Sequence, residues 1–86
     1  MSLLTEHIIP GNHGKVFETN AKKDTDLLTI KKELLTLRGV KDVIINNEVF
    51  PRELKILTNA LVKVEDIEQK AIGIGFHVIP KGLLKL

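Results

Sequence analysis

The stretch Asp24-Thr25-Asp26-Leu27-Leu28-Thr29-Ile30-Lys31-Lys32-Glu33-Leu34-Leu35-Thr36-Leu37-Arg38-Gly39 decides the fold. Leu27, Ile30, Leu34 and Leu37 recur at i, i+3, i+7 and i+10, which is one face of an α-helix. Asp24 or Thr25 is placed to cap the N-terminus. Asp26 falls in the first turn, where the positive end of the helix dipole favours a carboxylate. Arg38 and Gly39 supply a basic last turn and a glycine stop. Leu28 and Leu35 widen the apolar stripe, so the helix needs a broad partner, and a sheet is the natural one.

Strand signals lie on both sides of this helix. Residues 15–19, before it, are short, β-branched and aromatic. Whether Val16 or Phe17 faces inward stays open, because neighbours on a strand point opposite ways. Residues 40–46, after it, set Val43 and Ile45 in alternation with Asp42 and Ile44. Residues 47–52 form a connection holding Pro51, which has no N–H for a ladder and belongs at a hairpin end or an edge. Residues 53–58 make a third strand with Leu54 and Ile56 on one face. A second helix is predicted over 64–73, with Glu65 and Asp66 in its first turn. Val64, Ile67, Ala71 and Ile74 share its inner face, and Gly73 and Gly75 end it. Residues 76–79 make the last strand, closed by Pro80.

The order β-α-β-β-α-β predicts an α+β chain of the ferredoxin-like split βαβ type, a four-stranded antiparallel sheet with two helices on one face. Residues 14–80 form this domain, preceded by an N-terminal extension over 1–13 and followed by a short apolar tail over 81–86. At 86 residues and 9.6 kDa there is room for one core. Such a chain buries roughly 60–65% of its unfolded surface.

Composition narrows the chemistry. With no cysteine, disulfides, thiolate metal sites, iron–sulfur clusters and cysteine nucleophiles are excluded. Apolar runs such as Val43-Ile44-Ile45 fall far short of the ~20 residues of a membrane span. The start, Met1 to His7, has neither the basic nor the apolar region of a signal peptide, so a soluble, cytoplasmic chain is expected. Thirteen basic and eleven acidic residues leave a net charge of +2, a near balance. Phe17, Phe50 and Phe76 are the only aromatics. Without aromatic platforms or a basic groove, nucleic acid is not an expected partner. No hydroxyl–histidine pair or paired acids suggest an enzyme.

The second half carries a pattern of its own. Val64-Glu65-Asp66-Ile67-Glu68-Gln69-Lys70-Ala71-Ile72 is followed by Gly75-Phe76-His77-Val78. The first half has Ile30, Leu34 and Leu37, then Gly39-Val40, then Val43 and Ile45. Together these resemble the heavy-metal-associated domain of copper chaperones, mercury-binding proteins and metal-pumping ATPases, over residues 15–79. The resemblance implies a metal-binding or metal-transport module whose two loop cysteines hold copper(I), zinc or mercury. Counting back from Gly39-Val40 puts that loop at residues 20–26, with the cysteine positions on Lys22 or Lys23 and on Thr25 or Asp26. A soft metal needs sulfur ligands, and the only sulfur is that of Met1, so no cofactor is expected from the residues present.

Other candidates follow from residue type. His7, His13 and His77 are the imidazoles available to a metal, though none shows the close helical spacing of a His site. Asp24 and Asp26 are too few for a calcium shell and sit at the wrong helix end for a cation. Lys22 and Lys23, before a helix N-terminus, suggest an anion corner but lack the glycines of a phosphate loop. Leu3, Leu4, Ile8 and Ile9 at one end of the chain, with Leu83, Leu84 and Leu86 at the other, form an apolar set suited to an interface. The expectation is a non-catalytic module with a degenerate metal loop that works through a protein partner or a homodimer. Two alternatives stay open: a metal carrier or sensor using His and carboxylate ligands, and an anion- or small-ligand-binding regulatory domain.

Overall fold

The computed structural model describes residues 8–81. Eight elements follow one another: β1 (Ile8–Ile9), β2 (Gly14–Thr19), α1 (Asp24–Leu34), β3 (Val40–Asn46), β4 (Arg52–Thr58), β5 (Val62–Lys63), α2 (Val64–Gly73) and β6 (Val78–Pro80). The chain is α+β, with two helices and antiparallel sheets. One sheet runs β3-β4-β2-β6, and a second, two-stranded sheet pairs β1 with β5. All described strand pairs are antiparallel.

The second sheet was not expected, and it redraws the N-terminal extension. Ile9 pairs with Val62 and is 2% exposed, packed in the same core as both helices. Ile9 is therefore part of the domain's core, with Ile8 half-buried beside it. The Pro10 carbonyl also accepts the Thr58 hydroxyl at 2.5 Å, which ties the following turn to the end of β4.

Both helices bury one stripe against one face of the larger sheet. Leu27, Ile30 and Leu34 from α1 and Val64, Ile67 and Ala71 from α2 meet Phe17, Val43, Leu54 and Ile56. Phe17 thus points inward and Val16 outward. Full burial of each aliphatic side chain contributes about 1.5–3 kcal/mol.

The helix ends differ in how they stop. α2 closes on Ile74 with Gly75 at φ +94°; the Gly75 N–H reaches the Ile72 carbonyl and the Phe76 N–H the Ala71 carbonyl, both at 3.0 Å. That is a Schellman closure, which suits a glycine in the left-handed region. It holds Phe76 outside the last strand, which begins two residues later than predicted. α1 ends at Leu34, a turn before the expected stop. The Thr36 hydroxyl donates to the Glu33 carbonyl at 2.6 Å, and tighter i→i+3 bonds at Thr36 and Leu37 replace the helical ladder. The chain then turns at Gly39, φ +95°.

Both edges of the larger sheet lack a free donor where one is expected. Thr58 turns its backbone to the β2 side, donating to the His13 carbonyl. Alternation along β4, with the β3 register, then directs the backbone of Val43 out of the sheet. Its N–H is taken by the Asp42 carboxylate at 2.7 Å. On the opposite edge the Lys81 N–H reaches the Val16 carbonyl, so the backbones of Val78 and Pro80 point away from β2, and Pro80 has no N–H at all. Pro80 closes the last strand as its final residue, a place that an edge allows.

Candidate functional site

Three segments converge at one corner of the sheet: the end of β2, the β3–β4 connection and the start of β6. Asn20 joins two of them. Its side-chain oxygen accepts the His77 N–H at 2.9 Å, and its own N–H donates to the His77 carbonyl at 3.4 Å. The Thr19 hydroxyl accepts the Ala21 N–H at 3.2 Å; that turn buries Ala21 and leaves Lys22 and Lys23 exposed. From the other side the connection presents Phe50, 75% exposed, and Pro51. With Ile79, 58% exposed, these line an open groove of about 330 Å³ that reaches Glu18, Lys22 and His77. Its walls are mostly apolar.

The resemblance places its metal loop at this corner, and the residues there do not suit a soft metal. Lys22, Lys23 and Thr25 are exposed and Asp26 is half-buried. They offer ammonium, hydroxyl and carboxylate groups, whereas copper(I) and mercury need sulfur. Nor do Asp24 or Thr25 cap α1. The N-cap is Lys23, in extended backbone with no side-chain cap, because the first helical bond already runs from the Leu27 N–H to the Lys23 carbonyl at 3.0 Å. The Asp24 carboxylate instead accepts from the Asn47 side chain at 3.1 Å. Asp24 and Asp26 do occupy the first turn, as the dipole favours.

The histidines do not assemble. His13 lies just before β2 and His77 beside its far end. Six residues of strand separate those ends by ~20 Å, so one ion cannot bind both. His7 lies outside the described residues. No group of three or more His, Cys, Asp or Glu side chains comes together among the described residues. Of the apolar terminal set, Ile8 is half-buried and Ile9 is in the core. Leu3, Leu4, Leu83, Leu84 and Leu86 lie outside the described residues.

Beside the groove, on the face away from the helices, the Lys81 ammonium is hydrogen-bonded to the Glu53 carboxylate. That hydrogen bond and the attached negative charge, with a smaller contribution from Glu18, raise the Lys81 pKa above the ordinary lysine range.

Sequence reasoning did not single out Phe50 or Ile79. The signal for Phe50 was an aromatic placed next to a proline in a short connection between strands. For Ile79 it was alternation: with Val78 inward, the next residue must face outward. No family model, curated protein or solved structure matches this chain.

Proposed function

We propose that this chain is a small, non-catalytic, cytoplasmic contact module of the ferredoxin-like, heavy-metal-associated type, in which the metal loop has lost its ligands and the same corner serves protein binding. The strand order β3-β4-β2-β6 with two helices on one face supports the fold part of this reading. The apolar groove under Phe50, Pro51 and Ile79 carries the functional part. Phe50 at 75% exposure is costly to leave in water, and an exposed aromatic beside a concave apolar wall is the usual anchor geometry of an interface. Lys22 borders the groove as part of a polar rim.

Site-specific photo-crosslinking in the host cell tests the reading. A photoreactive residue at position 50 or 79 should trap the same protein, whereas one at Lys32, on the outer side of α1, should not. Equal products at all three positions, or none at 50 and 79, would overturn it.

A further inference from the structure

The sheet face away from the helices is sorted by charge. Lys55 and Lys81 lie in one cross-strand row with Ile44. Glu53 and Glu18 lie in the next row with Ile79. Successive same-face rows are about 7 Å apart. One row is purely cationic and its neighbour purely anionic. Lys81 reaches across β2 to Glu53, which leaves Lys55 and Glu18 with no ion-pair partner among the described residues. Ile44 and Ile79, 49% and 58% exposed, flank these charges at opposite edges of the sheet.

We propose that a second copy of this chain docks on this face, about a two-fold axis that crosses the strands between the two rows. This rests on the reading of the chain as a contact module and names a partner for it. A half-turn about that axis lays the cationic row of each copy on the anionic row of the other. Lys55 then meets Glu53 of the second copy and lies one strand from its Glu18. The pattern is self-complementary, as a two-fold interface requires. Any other axis along the rows sets like charges together, which is strongly unfavourable once water is excluded. Each sheet edge has lost one outward donor, at Val43 and at Pro80, which disfavours strand addition.

Sedimentation from about 1 μM to about 1 mM tests this, a span that covers dimers of ordinary stability. The unaltered chain should pass from monomer to dimer. Lys55→Glu leaves three acids beside Lys81, and Glu53→Lys leaves three lysines beside Glu18, so each sets like charges at the facing 55 and 53 positions; each alone should weaken the dimer at least ~10-fold. An equimolar mixture of the two variants should dimerise again. Both substitutions lie off the core, and circular dichroism confirms the fold of each. Raising the salt should also weaken the dimer of the unaltered chain, a second readout independent of any variant. A chain that stays monomeric up to ~1 mM, variants that dimerise like the parent, or a mixture that stays monomeric would each overturn the proposal. A monomeric chain that still crosslinks another protein through position 50 sinks self-docking alone. A dimer with no such crosslink sinks the groove assignment alone.

Discussion

Replacing Gly39 with alanine should destabilise the domain far more than the same change at Gly75, although the two glycines share almost the same backbone angle. Gly39 has φ +95° and Gly75 φ +94°, and a left-handed conformation costs a residue with a Cβ about 1–2 kcal/mol at either place. Surroundings separate them. A Cβ on Gly75 meets nothing within 4 Å. A Cβ on Gly39 lies 2.7 Å from the Val62 Cγ2 and 3.3 Å from the Ala60 carbonyl oxygen. Val62 is 4% exposed and paired with Ile9, so it has little room to retreat. Overpacking of this kind adds about 1–3 kcal/mol. The expected losses are therefore about 2–5 kcal/mol for Gly39→Ala and about 1–2 kcal/mol for Gly75→Ala. A small domain holds only ~5–15 kcal/mol in all. Urea melts with unchanged m-values give both losses directly. Val62→Ala in the Gly39→Ala background removes the opposing methyl, and the double-mutant cycle should show a favourable coupling of ~1 kcal/mol or more. Equal losses at the two glycines, within about 0.5 kcal/mol, would refute the packing argument and leave backbone strain alone.

Three further outcomes are expected. Truncating Ile9, Leu34 or Ile67 to alanine should each cost roughly 2–5 kcal/mol in chemical denaturation, since all three sit in the core; a loss under ~0.5 kcal/mol at Ile9 would return residues 8–9 to the status of a tail. Copper(I) should be surrendered fully to a strong chelator in a competition titration, because residues 22–26 offer no sulfur; stoichiometric retention lost on changing those residues would contradict this. Lys81 should deprotonate above the ordinary lysine range when its Cε resonance is followed with rising pH. Its pKa is raised in the folded state, so the stability from its pairing with Glu53 is complete below the unfolded lysine range and fades as pH climbs through the folded value. Glu53→Gln should bring Lys81 back toward the ordinary lysine range.

The long elements were legible because burial writes a period into them. Residues 40–46 and 64–73 coincide with β3 and α2 because alternation and helical spacing each persist for seven or more residues. β1 and β5 are two residues long, too short for any period to register, and their pairing depends on tertiary neighbours 53 or more positions away in the chain. The end of α1 was misjudged because Leu37 keeps the helical spacing and is half-buried, while the Thr36 hydroxyl redirects the backbone just before it. The groove was invisible for a related reason. Phe50, Ile79 and Ala21 are separated by tens of residues and meet only once β2, β4 and β6 are side by side. The absence of soft ligands at residues 22–26, by contrast, needed no structure, since ligand chemistry is a property of residue type.

The treatment of the two sheet edges bears on what kind of assembly this chain can form. Adding strands edge to edge is a chain-growth process: each arriving copy offers a new end, so the product has no natural size. Such growth depends on ends that stay reactive. Here one terminus of the hydrogen-bond array is quenched internally, by Asp42 on the Val43 N–H, and the other is deleted at Pro80. An arriving strand thus meets a missing donor on either side. Contact across the open face of the sheet has the opposite character, because a two-fold operation is satisfied after a single step. The consequence is a bias toward stoichiometric, countable complexes and away from filaments. It is set by one carboxylate and one imino acid.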